Sequence, residues 1–341
     1  MDLPRVGRMP PTANTVLIAV NPSAGKGSRR HLPDQLASRL TEQGFQVRFV
    51  QELEELTEQS HRLQSEGKLR AVVAAGGDGT AATLVNRIPP ATPMAILPLG
   101  TENLLAKYLD QITSPEHLSK IINQGLVVRL DAGLAGDRIF LLMAGCGFDA
   151  DVVRRMHQGR SGNITHFDYA KPLLASLRHY PFPSLRIDYE TDNPSGTHEQ
   201  KTIQARWAFI VNLPRYAGGL KFAPNAVGTD GLLDVCTFQE GNWWHALRYL
   251  GGVLTGRHVN WPDCQIVRTK RLRVIAEQRS CDEVPYQLDG DPGGALPADI
   301  QVLPGRLSLL VSESWAAGHG LSVNQESSTL SKLSETRTYA V

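Results

Sequence analysis

The chain has 341 residues, which predicts two domains at about 150 residues each. Its 41% hydrophobic and 20% charged residues are typical of a folded globular protein and exclude disordered, collagen-like and coiled-coil classes. The 35 basic and 34 acidic side chains nearly cancel, which argues against a protein that holds nucleic acid along a basic face.

The N-terminal segment carries arginines but no apolar core of a secretory signal. The longest apolar stretch runs from Ile139 to Phe148 and is about half the length of a membrane-spanning helix. These features predict a cytoplasmic protein without a membrane span. Four cysteines lack zinc-ligand spacing and are interpreted as reduced thiols. They are Cys146, Cys236, Cys264 and Cys281.

The first third of the chain alternates apolar strand patterns with amphipathic helical patterns. The predicted strands cover residues 15–20, 45–50, 69–77 and 94–99. Continuously apolar strands separated by helices predict an α/β domain over residues 1–127, with a parallel sheet covered by helices on both faces. Ligands of such sheets bind beyond the carboxyl ends of the strands.

Strand patterns dominate after residue 126, with one helical interruption near residues 167–177. This change predicts a second domain, mostly β and antiparallel, over residues 128–312. Residues 313–341 are rich in Ser, Thr, Glu and Gln without apolar periodicity, so we expect a flexible tail there.

A glycine-rich loop, Asn-Pro-Ser-Ala-Gly-Lys-Gly-Ser, follows the first strand at residues 21–28. Its spacing matches neither a Walker A loop nor the dinucleotide fingerprint. Small residues, backbone N–H groups and a helix terminus nevertheless suit phosphate oxygens. An ordinary strand-to-helix turn is the alternative.

Residues 76–80 read Gly-Gly-Asp-Gly-Thr after a strand predicted to be buried. A carboxylate at a sheet edge is costly unless it is paired, hydrogen-bonded or bound to a metal. Asp78 is therefore expected to bind the metal ion of a nucleotide or to contact an acceptor. The alternative is that Asp78 caps the next helix. A third loop, residues 98–103, follows the fourth strand and should meet the other two loops at one edge of the sheet.

Seven segments resemble, in order, those of the diacylglycerol kinase catalytic fold, which bacterial lipid kinases, sphingosine kinases and ceramide kinases share. The resemblance covers residues 15–311 and implies an α/β domain and a β-sandwich domain with a nucleotide cleft between them. It implies transfer of phosphate from ATP, with Mg²⁺, to a lipid hydroxyl, foremost diacylglycerol to give phosphatidic acid. The segments are NPSAGKG, GGDGT, LPLGTEN, LDAG, GCGFDADVV, YAGGLKFAPNAVGTDGLLDV and QLDGDP.

The resemblance implies a nucleotide-binding set in three loops. Its members are Asn21, Pro22, Ser23, Ala24, Gly25, Gly76, Gly77, Asp78, Gly79, Thr80, Thr101 and Asn103. It also implies a structural Mg²⁺ loop, held by the carboxylate of Asp230 and the carbonyls of Val227 and Leu232. A plain Asp-Gly turn is the alternative for Asp230.

The family's Asp-Gly-Glu pattern has its counterpart in Asp289-Gly290-Asp291. The resemblance implies that Asp291 accepts the proton of the lipid hydroxyl, with Asp289 beside it as a second catalytic acid. Asp78 is the competing base, and a surface turn at residues 289–291 is the third reading. Asp131 matches another acid of the family, which organises Mg²⁺ and water.

Three departures from the family pattern affect what can be transferred. Ala81, Ala82 and Thr83 replace Leu-Asn-Glu, Leu104 replaces an acid, and Glu52 stands near an expected threonine. They leave open a sphingoid-base or other lipid-alcohol kinase and a catalytically impaired binding protein. An NAD kinase shares the Gly-Gly-Asp-Gly-Thr motif and is a further alternative.

A lipid acceptor requires contact with a membrane surface. The pair Trp243 and Trp244 is typical of residues at such interfaces, and a helix packed on the second domain is the alternative interpretation. Phe148, Tyr169 and Tyr216 are candidates to line an acceptor cleft. We expect weak, reversible membrane attachment and no nucleic-acid partner, and a homodimer stays open.

Overall fold

A computed structural model of the chain describes residues 5–20, 29–158, 170–192, 198–277 and 283–321. The chain divides into two compact units. The first contains Met1–Leu130 and Gly305–Val341, and the second contains Asp131–Pro304. The chain thus leaves the first unit once and returns to it near its end.

The strands are β1 (Val6–Arg8), β2 (Thr15–Val20), β3 (Gln46–Val50), β4 (Leu69–Gly76), β5 (Pro93–Pro98), β6 (Leu126–Ala135), β7 (Arg138–Phe140), β8 (Met143–Cys146), β9 (Leu185–Asp192), β10 (His198–Ala205), β11 (Trp207–Val211), β12 (Leu233–Phe238), β13 (Cys264–Thr269), β14 (Arg271–Ala276), β15 (Pro285–Leu288), β16 (Asp291–Ala295) and β17 (Ala298–Leu310). The helices are α1 (Leu32–Glu42), α2 (Leu53–Ser65), α3 (Asp78–Val85), α4 (Leu104–Tyr108), α5 (Pro115–Gln124), α6 (Phe148–Gln158), α7 (Ala170–His179), α8 (Trp243–Thr255) and α9 (Glu313–Gly318). Within the described ranges, no helix combines the length and apolar character needed to span a membrane.

The first unit is built on a parallel sheet in the order β3-β2-β4-β5, and the end of β17 pairs with β5. Every residue of β4 and of β5 is buried, as expected for strands covered on both faces. The predicted alternation of four strands with helices is confirmed. Its parallel order brings the loops after β4 and β5 to the same edge of the sheet.

The helices of this unit bury one face each. In α1, Leu36 and Leu40 lie four residues apart on the buried side. Helix α5 begins at Ser114, whose hydroxyl accepts a hydrogen bond from the backbone N–H of His117, and it ends at Gly125 in the left-handed conformation. These local signals fix where the helix starts and stops.

The second unit is an antiparallel β-sandwich. One sheet has the order β10-β9-β14-β17, to which the first part of β17 contributes, and the other has the order β13-β12-β11-β8-β15-β16. Inward side chains from both sheets, such as Ile187 and Val274 from one and Ile210 and Val235 from the other, form one hydrophobic core. The predicted antiparallel, mostly β architecture of this part of the chain is confirmed.

Part of the expected flexible tail is helical. Helix α9 begins with the hydroxyl of Ser312 accepting a hydrogen bond from the backbone N–H of Trp315. Trp315 is buried and lies edge-on to the ring of Tyr108. The buried aromatic side chain and the capping serine stabilise this short helix within a C-terminal segment that is polar overall. The rest of the predicted tail, from residue 322, lies outside the described residues.

Candidate functional site

Two of the three predicted loops are in backbone contact. The predicted loop of residues 76–80 spans the end of β4 and the first turn of α3, and the loop of residues 99–103 follows β5. A Cβ atom placed on Gly100 would lie 2.6 Å from the Cα of Gly77, and one placed on Gly77 would lie 3.2 Å from the Cα of Gly100. Only glycine allows this approach. The predicted loop of residues 21–28, with Asn21 to Gly25, lies outside the described residues.

Asp78 joins the same two loops through its carboxylate. One oxygen accepts a hydrogen bond from the backbone N–H of Leu104 and the other accepts one from Leu105, each at 2.9 Å. Burial raises the pKa of Asp78, and these two hydrogen bonds act in the opposite direction. The acid therefore caps a helix, as the alternative interpretation held, but it caps α4 rather than the helix it begins.

Asn103 and Thr80 shape their own loops. The side-chain amide of Asn103 accepts a hydrogen bond from the N–H of Gly100 at 2.9 Å and donates one to its carbonyl at 2.8 Å. Asn103 adopts a left-handed conformation with φ of 50°. The side chain of Thr80 covers Gly76, where a Cβ would lie 2.2 Å from the threonine hydroxyl. Thr101 is exposed.

Leu104, which replaces an acid of the family pattern, is 5% exposed. Its side chain lies in the hydrophobic core, while its backbone N–H serves Asp78. The replacement therefore changes the side chain at this position without removing the backbone contact that holds the loop.

In the second unit, the turn between β15 and β16 carries Asp289 and Asp291. The carboxylate of Asp289 accepts hydrogen bonds from three consecutive backbone N–H groups, those of Leu141 (2.6 Å), Leu142 (2.8 Å) and Met143 (3.0 Å). Such a set holds the turn against the segment between β7 and β8. The geometry gives Asp289 a positioning role.

Asp291 stands differently at the start of β16. Its side chain is 50% exposed, and its carboxylate lies 3.4 Å from Nε2 of His157 on α6. The same histidine nitrogen lies 3.3 Å from the carbonyl of Gly290. The carboxylate of Asp291 is thus half exposed, while its turn is held by Asp289 on one side and by His157 on the other.

Asp149, which the sequence analysis did not single out, is linked to this turn through Gln287. The amide of Gln287 donates to the carboxylate of Asp149 at 2.9 Å and accepts from the backbone N–H of Gly290 at 2.7 Å. Burial raises the pKa of Asp149 to about 6, although hydrogen bonds from Gln287 and Tyr216 act to lower it. The acid lies within the GCGFDADVV segment, but only the fold shows that it faces the Asp-Gly-Asp turn.

The predicted Mg²⁺ loop is fixed by Asp131. The backbone N–H of Asp131 donates to the carbonyl of Gly228 at 2.7 Å, and its buried carboxylate accepts from the N–H of Gly231 at 2.7 Å. These bonds hold both sides of Asp230 in place.

Asp230 itself is already neutralised. One carboxylate oxygen accepts from the N–H of Leu232 at 3.0 Å, and the other forms an ion pair with Arg268. Across the part of the chain that the structure describes, no group of three or more His, Cys, Asp or Glu side chains is placed to hold a metal ion. A divalent cation at Asp230, Val227 and Leu232 would have to compete with the guanidinium, so the residues fit it poorly and this ligand set stays a prediction.

The aromatic candidates for an acceptor cleft separate. Phe148 is 2% exposed and packs with Phe182 and Trp207 at ring-centroid distances of 5.3 and 5.1 Å. Phe148 therefore belongs to the core, and the prediction that it lines a cleft was wrong. The surrounding aromatic rings, which come from distant segments of the chain, bury its side chain. Tyr216 is also buried and meets Asp149, and Tyr169 lies outside the described residues.

Two protein families match the chain in succession. The diacylglycerol kinase catalytic domain matches residues 15–135, and the YegS C-terminal NAD kinase beta sandwich-like domain matches residues 143–311. An α/β unit with glycine-rich loops after its parallel strands, followed by this sandwich, is the fold class of the diacylglycerol kinases. The two matches follow one another along the chain and identify it as diacylglycerol kinase-like.

Relatives from several bacteria carry the name diacylglycerol kinase. The one from Mycobacterium tuberculosis is 29% identical over 249 residues, or 70% of this chain and 76% of that protein. The one from Staphylococcus carnosus is 25% identical over 293 residues, or 83% and 90%. The solved structure of a diacylglycerol kinase from Bacillus anthracis has a TM-score of 0.63 at 22% identity, covers 88% of this chain and 98% of that chain, and shows that the fold is shared.

Proposed function

We propose that this protein is an ATP-dependent lipid kinase that phosphorylates the free hydroxyl of diacylglycerol to give phosphatidic acid. The observation that carries the proposal is the contrast between Asp289 and Asp291. The first acid is committed to three backbone N–H groups, whereas the second is half exposed at the end of the turn that the first one holds. The family and the names of its relatives supply the reaction class.

In the proposed reaction, the acceptor hydroxyl oxygen forms a bond to the γ-phosphorus of ATP as the bond from that phosphorus to the β-bridging oxygen breaks. ADP leaves, and the hydroxyl proton passes to the carboxylate of Asp291. Asp289 and Gln287 keep that carboxylate in position. Mg²⁺ bound with the nucleotide would neutralise charge on the phosphates.

The loops after β4 and β5 suit the phosphates of the nucleotide. They present glycine backbone in a close-packed pair, and no described atom outside the local helix backbone lies within 4 Å of a Cβ placed on Gly79. A nucleotide can therefore pass directly over this glycine. Asp78 supports this function by holding the two loops together.

The test is a turnover assay with radiolabelled ATP and Mg²⁺, offered dispersed diacylglycerol, a sphingoid base or NAD in separate reactions. We expect labelled phosphatidic acid as the main product. Labelled sphingoid phosphate would keep the lipid-kinase class and replace the acceptor. Labelled NADP, or ATP binding without any product, would overturn the proposal.

A further inference from the structure

Exposed hydrophobic side chains are concentrated in one part of the second unit. Nine large hydrophobic residues are exposed among the residues that the structure describes, and six of them lie on α7, on α8 or in the turn after α8. These six are Leu174, Trp243, Trp244, Leu247, Leu254 and Val259. A soluble surface normally carries such residues singly.

We define the α8 face as Trp243, Trp244, Leu247 and Leu254. Their exposed fractions are 52%, 65%, 43% and 74%, and the two indole rings stack at 4.5 Å. Residues 243, 247 and 254 recur at helical spacing, which places them along one side of α8. The face therefore contradicts the interpretation in which the tryptophans pack α8 on the sandwich.

The opposite side of α8 already anchors the helix. Tyr249 and Val253 are buried, and Gly252 lies so close to Trp261 that a Cβ there would be 2.3 Å from the indole. The hydroxyl of Tyr249 donates to Asp263 at 2.6 Å. The core thus holds α8 without any help from the α8 face.

The exposed charged residues around the α8 face are mainly basic. Neither α7 nor α8 contains an acidic residue, and exposed Lys171, Leu174 and Arg178 share one side of α7. Arg257 is exposed just after α8. Among the described residues, the acids nearby include Glu240, exposed before α8, and Asp263, which pairs with Arg248. Buried Asp151 contacts Ser176 of α7 and pairs with Arg154 and Arg155.

We propose that the α8 face docks the protein on an anionic lipid surface, with the cations of α7 and Arg257 toward the head groups. Tryptophan is enriched where one end of a side chain is apolar and the other is wet, and apolar residues flanked by cations bind anionic interfaces. A second copy of the chain fits less well, because a stable protein interface takes about 20–30 residues a side. This inference deepens the proposed function and rests on it.

The first test is co-sedimentation of the full chain with vesicles of phosphatidylcholine alone or mixed with phosphatidylglycerol. We expect salt-sensitive binding to the anionic vesicles. Trp243→Ala with Trp244→Ala should weaken it about tenfold or more, because two large apolar side chains are lost. Lys171→Gln should weaken it about fivefold, on anionic vesicles only.

Matched controls separate docking from folding. Ile112→Ala removes a large hydrophobic side chain of the first unit that is 58% exposed, and it should leave vesicle binding unchanged. Leu254→Glu places a charge on a side chain that is 74% exposed, so it should abolish binding without altering the melting temperature. Unchanged vesicle binding in both α8 variants would overturn the proposal. A concentration-dependent dimer that the same variants abolish would assign the face to a second copy instead.

Kinase activity on short-chain diacylglycerol in detergent micelles distinguishes the two proposals. If the tryptophan variant loses activity on vesicle-borne lipid but keeps it in micelles, both proposals stand. If vesicle binding depends on the tryptophans but the wild type phosphorylates no lipid in either form, docking stands and the proposed function fails. If lipid is phosphorylated and the variant acts normally on vesicles, docking alone fails.

Discussion

The carboxylate of Asp78 accepts a hydrogen bond from the backbone N–H of Leu105 at 2.9 Å, so an acid that follows β4 caps α4, the helix that follows β5. The neighbouring N–H of Leu104 meets its other oxygen. This contact explains why a partly buried acid is tolerated at the sheet edge, and it gives Asp78 a role that does not depend on proton transfer.

Asp78→Asn should therefore act through loop geometry. An asparagine has one acceptor oxygen, so one of the two N–H groups of α4 would face an NH₂ group. We expect a loss of about 1–3 kcal/mol in the free energy of unfolding together with a raised KM for ATP. Denaturant unfolding and steady-state kinetics measure the two effects. Asp34→Asn, at an exposed acid of α1, is the control. A fall in kcat with stability and KM intact would instead favour Asp78 as the base.

Asp291→Asn should lower kcat by about 100-fold or more, the usual scale for loss of a general base, and should leave the fold and the KM for ATP unchanged. Asp299→Asn, at an acid that is 71% exposed on β17, controls for loss of a negative charge in the same unit. Near-normal turnover of the Asp291 variant would remove this residue from the catalytic role.

Substitutions at two glycines test separately how the loops pack and where the nucleotide binds. Gly100→Ala forces a Cβ to 2.6 Å from the Cα of Gly77, so we expect about 1–3 kcal/mol of destabilisation and weaker ATP binding. In Gly79→Ala the added Cβ meets no described atom within 4 Å beyond the local helix backbone, so the melting temperature should be nearly unchanged. If the nucleotide passes over Gly79, the second variant should still lose ATP affinity in calorimetric titration. Normal affinity would move the nucleotide away from this glycine.

The raised pKa of Asp149 predicts a pH-dependent contribution to the free energy of unfolding. Its pKa is raised to about 6, so the folded state binds this proton more tightly than the unfolded chain, in which the pKa is about 3.9. The contribution is present below about pH 4 and is lost as the pH rises through about 6. The melting temperature of Asp149→Asn, relative to wild type, should therefore increase from about pH 4 to about pH 7. A difference that is flat with pH would contradict the assignment.

Arg268 competes with any cation at Asp230. Arg268→Gln should enlarge the rise in melting temperature that Mg²⁺ produces, because the carboxylate is freed from its ion pair. Arg273→Gln, at an arginine of β14 with similar exposure, is the control. If Mg²⁺ stabilises neither the wild type nor the Arg268 variant, then Asp230, Val227 and Leu232 do not form a metal site.

Sequence pattern determined the α/β part of the fold because its signals are local. Continuously apolar strands such as Leu69–Gly76 and helices with apolar residues three and four apart can be read directly from the chain. The motifs also located the loops after β4 and β5, since a few consecutive residues, glycines among them, are enough to specify a turn. The start of the tail was misjudged because the burial of Trp315 depends on Tyr108, far away in sequence.

Only the tertiary structure decided what each acid does. Asp289 and Asp291 are two residues apart and chemically identical, yet one is committed to N–H groups about 147 residues away and the other is half exposed. The link from Asp149 through Gln287 to Gly290 likewise joins residues 138 apart in the chain. A carboxylate's role follows from the donors and the burial around it, and these come from contacts between distant segments. The amino-acid sequence therefore determined where the acids are, and the fold determined which of them is bound to backbone N–H groups and which is left exposed.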